Sequence, residues 1–169
     1  MSVPDLGMRE RAVDARERAA SELFDSEYPR LAGWCRRLVD DTDTAHEIAA
    51  EAFTRLWSRW AGVSEPRGFL YVTAANLVHD HWRRKERERR ATRLVRQPPT
   101  EQDEPGAGPD LRPLVDSLPR QMRAAVLLYY YADFSLREVA ALLGRKEGTV
   151  KSDLSRARVL LRQRLEASP

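Results

Sequence analysis

The side chains best suited to chemistry lie in the last third of the chain. Thr149, Lys151, Ser152, Ser155, Arg156 and Arg158 fall within ten consecutive positions, with Arg145 and Lys146 just ahead of them. Hydroxyl, ammonium and guanidinium donors at that density suit phosphate oxygens and base edges. A second cationic run, WRRKERERRATR over residues 82–93, opens on Trp82, contains Arg83 and Arg84 and follows a stretch holding Trp57, Trp60, Phe69 and Tyr71. Aromatic faces beside cations suit unpaired bases, where one stacked base is worth roughly 1–3 kcal/mol. Core packing accounts for Trp57 and Phe69; Trp60, beside a loop, is the ring expected to be exposed.

Bond-breaking chemistry is poorly served. His79, Asp80 and His81 resemble the adjacent His-Asp pair of metal-dependent phosphohydrolases, but neighbouring helical residues point about 100° apart. A catalytic metal takes three convergent protein ligands, and His46 is the only other histidine. There is no Ser-His-Asp or Cys-His set, P-loop or CxxC. The expectation is a protein that is not an enzyme and needs neither metal nor cofactor. The phosphohydrolase alternative predicts a stoichiometric metal.

The elements that position the C-terminal donors can be read directly. Ser135 and Glu138 form a capping box that starts a helix. Val139, Leu142 and Leu143 give that helix an apolar stripe, and Gly144 supplies its stop. A second helix follows after a turn of about four residues, completing a helix-turn-helix. At about 100° per residue, Val150, Leu154, Ala157 and Leu161 form its buried stripe, and Ser152, Ser155 and Arg156 lie opposite, flanked by Lys151 and Arg158. Such a face fits a major groove about 12 Å wide. Asp153 interrupts it and is expected to pair with Arg156 three residues on.

Composition sets the frame. The chain has 169 residues, 42% of them apolar, which excludes wholesale disorder and allows one medium or two small cores. The single cysteine, Cys35, sits in the apolar pattern Leu31, Trp34, Cys35, Leu38 and reads as a buried small hydrophobe; no disulfide can form within the chain. No apolar run approaches the roughly 18 residues of a membrane span, and the first residues lack the apolar stretch of a signal peptide, so a cytoplasmic protein is expected. Charge is sorted along the chain. Residues 1–81 carry 10 basic and 14 acidic side chains, residues 82–96 carry 8 and 2, residues 97–112 carry 1 and 4, and residues 113–169 carry 10 and 6. Two basic zones flank an acidic connector, each suited to a polyanion.

Residues 1–18 alternate charges and read as a frayed or weakly helical extension with no assigned function. Apolar residues then recur at helical spacing from Ala19 to Leu38. A second helix starts near Asp43 or Thr44 and carries Ile48, Ala52, Phe53, Leu56 and Trp57; a third runs from about Pro66 into the basic run. Residues 94–112, rich in proline and acid, read as a flexible linker. The expected fold is all-α: two small helical domains, residues 19–93 and 113–169, the second a helix-turn-helix.

Two segments together resemble the extracytoplasmic-function (ECF) sigma factors of bacterial RNA polymerase. LPRQMRAAVLLYYYADFSLREVAALLGRKEGTVKSDLSRAR (118–158) looks like the region-4 domain that reads the −35 promoter element, its GTVKS and LSRAR runs being the specific part. DTAHEIAAEAFTRLW (43–57) and GFLYVTAANLVHDHWRRK (68–85) are similar to the polymerase-binding and the melting and −10-reading helices of region 2. The departures are Ala49 and Ala50 for the family's usual Val and Gln, Val72 and Asp153 for common arginines.

What the resemblance implies is an alternative sigma factor that binds core RNA polymerase at its clamp coiled coil and flap and directs promoter recognition, melting and initiation. It implies −35 contacts from Arg145, Lys146, Thr149, Lys151, Ser152, Ser155, Arg156 and Arg158. The −10 contacts come from Trp60, Gly62, Val63, Ser64, Asn76, Asp80, Arg83 and Arg84, and the polymerase contacts from Glu47, Ala50, Glu51 and Phe53. An anti-sigma protein is an implied partner, membrane insertion is not, and the protein acts at the nucleoid. A helix-turn-helix regulator that binds duplex DNA without polymerase is the alternative, distinguished by whether the chain co-elutes with core polymerase.

Overall fold

A computed structural model describes residues 4–39, 41–95 and 112–167, and among these every regular element is helical. α1 spans Pro4–Val39, α2 Thr42–Arg59 and α3 Pro66–Val95, with a single 3₁₀ turn, Trp60–Gly62, after α2. α4 (Arg112–Asp116), α5 (Arg120–Val126), a π-helical turn (Leu127–Tyr131), α6 (Leu136–Leu143) and α7 (Glu147–Ala167) follow. The linker read over 94–112 falls almost wholly outside the described residues.

α1 departs from expectation. Residues 4–18, read as a frayed or weakly helical extension, are the N-terminal part of one 36-residue helix that continues through Pro29. Proline removes one backbone donor and crowds the preceding turn, yet the packing on its C-terminal side outweighs that cost. Leu31, Trp34, Cys35 and Leu38 are each at most 1% exposed. The exposed N-terminal half is sustained locally by Ala12, Ala15, Ala19 and Ala20, the strongest helix former. It also gains a bond from Arg18 Nε to the Asp14 carbonyl, 3.2 Å, one turn back.

α2 begins two to three residues before the expected caps. Asp41 is the N-cap, its carboxylate accepting the Thr44 amide at 2.8 Å. The Thr44 hydroxyl and amide hold the Asp41 carboxyl below its usual range. Ile48, Ala49, Ala52, Phe53 and Leu56 of α2 meet the α1 stripe and Leu70, Ala74 and Val78 of α3 in one core. Burial pushes the Cys35 thiol up to about 12. Trp82 donates its indole N–H to the Leu38 carbonyl, 2.9 Å, tying the middle of α3 to the end of α1.

His81, 8% exposed, sits at the same end. Burial first, then Lys85 and Arg84, hold its pKa below the ordinary 6.5. The folded chain therefore keeps this imidazole neutral where the unfolded chain already takes a proton, and stability is lost as pH falls through about 6.5. Thermal midpoints should drop between pH 7 and pH 5.5, and His81→Gln should flatten that slope; an identical slope in the variant would refute the assignment.

The C-terminal helices pack around Val115, Val126, Leu127, Leu128, Val139, Val150 and Leu154. Arg123, 9% exposed, closes the end of the five-residue α4 by donating to the Asp116 and Leu118 carbonyls at 2.6 and 3.3 Å. The two helical groups do not stand apart. Phe134 of the second packs edge-on against Tyr71 of the first, ring centroids 4.8 Å apart, and the buried residues form a single continuous cluster.

Candidate nucleic-acid interface

The capping box at α6 is complete. Ser135 Oγ accepts the Glu138 amide at 3.2 Å, and Glu138 Oε2 accepts the Ser135 amide at 2.8 Å. The Ser135 amide, and then its hydroxyl, hold the Glu138 carboxyl below its usual range. Gly144, at φ 61° and ψ 37°, takes the left-handed conformation that ends α6. The Gly144 and Arg145 amides then reach the Ala141 and Ala140 carbonyls at 3.2 and 2.9 Å. Chain direction is thus reversed within Gly144–Lys146, and α7 starts at Glu147.

Along α7 Val150, Leu154 and Ala157 are buried and Leu161 half-buried, while Lys146, Thr149, Lys151, Ser152, Ser155, Arg156 and Arg158 are exposed. Arg158 Nη2 donates to Ser155 Oγ at 3.3 Å, which steadies that guanidinium on the open face. Two residues differ from the sequence reading. Asp153 is 7% exposed and turns inward to Arg145, Oδ2 to Nη1 2.5 Å, rather than along the helix to Arg156. Arg145, its side chain 19% exposed, is therefore engaged in holding the turn to α7 and not presented to a groove. The nearest sequence neighbours of Asp153 pointed to the wrong partner because the turn folds a residue from before α7 back onto it.

The loop after α2 and the first turns of α3 border a cavity of about 760 Å³. Gly62, Val63 and Ser64 line it with Phe69 and Val72, and Leu142 of α6 supplies a further wall. Arg16 and Arg59 also line it, two cations that the sequence reading passed over. Arg16 lay in a segment with no assigned role, and the continuity of α1 carries it to the loop. At about 100° per residue, Phe69, Asn76, Asp80 and Arg83 share one side of α3, a track from the cavity to the basic run, with Arg84 on its flank. Asn76 is half-buried and Asp80, Arg83 and Arg84 are exposed. Trp60 does not line the cavity. It is half-buried against the core beside Trp57, centroids 5.6 Å apart, and Trp57 is the more open ring at 39%.

The α2 residues expected to meet a partner divide. Glu47, Ala50 and Glu51 are exposed, with Glu51 accepting from Arg55 Nε at 2.7 Å. Phe53, at 1% exposure, is a core residue and offers no surface. The apolar groups beside those acids are instead Phe24 and Trp57, which flank Phe53 with centroids at 5.0 and 5.9 Å.

His79 and His81 diverge. His79 Nδ1 meets Asp116 Oδ1 at 2.5 Å across to α4, while His81 is buried toward α1. Among the described residues no three His, Cys, Asp or Glu side chains are grouped to share a metal, and no helix is long and apolar enough to cross a membrane.

Comparison with known proteins decides the family. Residues 23–88 match the family model described as sigma-70 region 2, and residues 110–161 the one described as sigma-70, region 4. The RNA polymerase sigma-E factor of Streptomyces avermitilis is 34% identical over 146 residues, an alignment covering 78% of this chain and 76% of that protein. This chain is an ECF sigma factor of the sigma-70 family. The ECF RNA polymerase sigma factor SigE of Mycolicibacterium smegmatis is 31% identical over 156 residues, 85% of this sigma factor and 60% of SigE. Among solved structures, CnrH in complex with the cytosolic domain of CnrY gives a TM-score of 0.58 at 20% identity, covering 95% of this sigma factor and 96% of that chain. RpoE in complex with the anti-sigma factor NepR from Bartonella quintana gives 0.53 at 22%, covering 88% and 98%. These two support the all-α fold of the sigma factor. As a member of the family it is a factor for transcription initiation.

Proposed function

We propose that this sigma factor docks on core RNA polymerase through its α2 face and sets the enzyme on a two-part promoter, α7 reading duplex −35 DNA and the α2–α3 end holding the melted −10 strand. The observation that carries the reading is the pairing in one chain of two unlike nucleic-acid surfaces. One is a convex helix face of hydroxyls and cations sized for a groove. The other is a concave, partly apolar site edged by a polar track, suited to a base taken out of the stack. A duplex-only regulator needs the first and has no use for the second.

In this reading Glu47, Ala50 and Glu51, with Phe24 and Trp57, meet the clamp coiled coil, and residues 113–169 meet the flap. Lys146, Thr149, Lys151, Ser152, Ser155, Arg156 and Arg158 serve the −35 element. Gly62, Val63 and Ser64 hold the base, Asn76 and Asp80 face its edge, Arg83 and Arg84 take phosphates, and Trp60 braces the loop. The two domains, 19–93 and 113–169, then act at separate elements with the 94–112 segment between them. The protein works in the cytoplasm, at the nucleoid, and an anti-sigma protein is a natural partner, as the similarly folded sigma factor RpoE is complexed with the anti-sigma factor NepR.

The test is run-off transcription with core polymerase. Asn76→Ala should lower open-complex formation by about tenfold, a single base-edge interaction being worth about 1–3 kcal/mol, while duplex −35 binding stays at the wild-type level. Trp60→Ala should do the same, with its thermal midpoint measured alongside. Equal losses in both assays would point to a folding defect, and no association of the wild-type chain with core polymerase would end the proposal.

A further inference from the structure

We infer that the cavity bounded by the end of α1, by α3 and by α4 is a binding site for a phosphorylated nucleoside, cations of α3 holding the phosphates and the Trp82 ring lying beside the base. The cavity measures about 580 Å³, within the roughly 300–1,000 Å³ of small-molecule sites. Three of its lining residues, His81, Lys85 and Arg89, follow one another at four-residue steps along α3. Each step rises about 6 Å and turns about 40°, so their nitrogens form one ladder about 12 Å long. That is the reach of a nucleoside with its phosphates, not of a lone ion. Around the helix axis, the ladder and Trp82 point away from the track of Phe69, Asn76, Asp80 and Arg83, by about 180° between their centres. The site is therefore separate from the surface assigned to the −10 strand.

Charge in the cavity is unbalanced. Its carboxylates are already engaged: Asp41 accepts the Thr44 amide at 2.8 Å, Glu86 holds Arg90 at 2.9 Å, and Asp116 meets His79 and Arg123 at 2.5 and 3.7 Å. Lys85 and Arg89 have no ion pair among the described residues, and both are exposed. Arg112 of α4 brings another cation to the facing wall. Ammonium and guanidinium groups so placed suit phosphate oxygens, to which they make charge-assisted hydrogen bonds.

His81 is an independent sign. It is 8% exposed and lines the cavity, yet among the described residues its ring nitrogens have no hydrogen-bond partner. Buried polar groups are almost always paired. A neutral imidazole offers one N–H and one acceptor nitrogen, which a phosphate oxygen and a ribose hydroxyl would satisfy. Beside it, Trp82 is half-buried and its indole N–H is fixed on the Leu38 carbonyl at 2.9 Å, so the ring is held in place at the cavity edge. Stacking on such a ring strengthens the binding of a base by about tenfold or more.

Isothermal titration of the full-length protein with ADP, GDP and pyrophosphate tests the site. At least one nucleotide should bind once per chain, and about tenfold or more tighter than pyrophosphate, which lacks the base. Lys85→Ala with Arg89→Ala should weaken that binding at least 30-fold, with the thermal midpoint within a degree or two of wild type. Arg83→Ala with Arg87→Ala removes the same charge from the other side of α3 and should leave nucleotide binding unchanged. Equal losses from the two pairs would mean general attraction to a basic helix and overturn the inference. So would pyrophosphate binding as tightly as either nucleotide, or neither nucleotide binding at millimolar concentration. Transcription is not read in this experiment, so its outcome is separate from that of the function proposed above.

Discussion

Alanine at both Arg156 and Arg158 is expected to weaken binding to duplex −35 DNA at least 30-fold, at about 1–3 kcal/mol for each guanidinium removed. Both side chains are exposed, and neither contributes to the buried stripe of Val150, Leu154 and Ala157, so the thermal midpoint should stay within a degree or two of wild type. Salt supplies the sharper criterion. Each phosphate contact contributes about 0.9 to the slope of log K against log salt, so the double variant should show a slope shallower by nearly two. A fall in affinity with an unchanged slope would mean that the arginines read bases alone. No fall at all would mean that another face of α7 enters the groove. Ser155→Ala isolates the smaller effect of releasing Arg158 from its 3.3 Å partner.

Asp153→Ala is expected to destabilise the C-terminal half by about 3 kcal/mol. Removing one member of a buried ion pair strands the other, a loss that runs to 3–5 kcal/mol when both are fully enclosed. Here Arg145 keeps 19% of its side chain in contact with water, which places the cost at the lower end. For a chain of this size the thermal midpoint should fall by roughly 6–12 °C. The double change Arg145→Met with Asp153→Ala should recover most of that, because neither charge is then left alone. Denaturation curves of the four proteins form a cycle that checks it. A single variant as stable as wild type would show that the pair carries no weight.

How much of this was legible beforehand depends on whether a signal is local. The Ser135–Glu138 box, the Gly144 stop and the α7 stripe were readable because each depends on partners within one or two helical turns. The inward turn of Asp153 was not, since its partner lies on the far side of a chain reversal. The same holds for Phe53, which occupies the helical spacing of both a core and an interface residue until α1 is seen to lie over it. The continuity of α1 was missed because the alternating charges of residues 1–18 carry no apolar stripe of the kind that runs from Leu31 to Leu38. The π-helical turn at Leu127–Tyr131 has no signature in the run LLYYY. Least visible was the meeting of Phe134 with Tyr71, residues 63 positions apart that carry no mark of partnership.

The enclosure of Cys35 has a chemical corollary. A thiol whose pKa stands at about 12 is ionised in roughly one molecule in 10⁵ at neutral pH, and it is the thiolate that peroxides and electrophiles attack. With no other sulfhydryl in the sequence, these residues offer no thiolate through which an oxidant or electrophile would act readily at neutral pH.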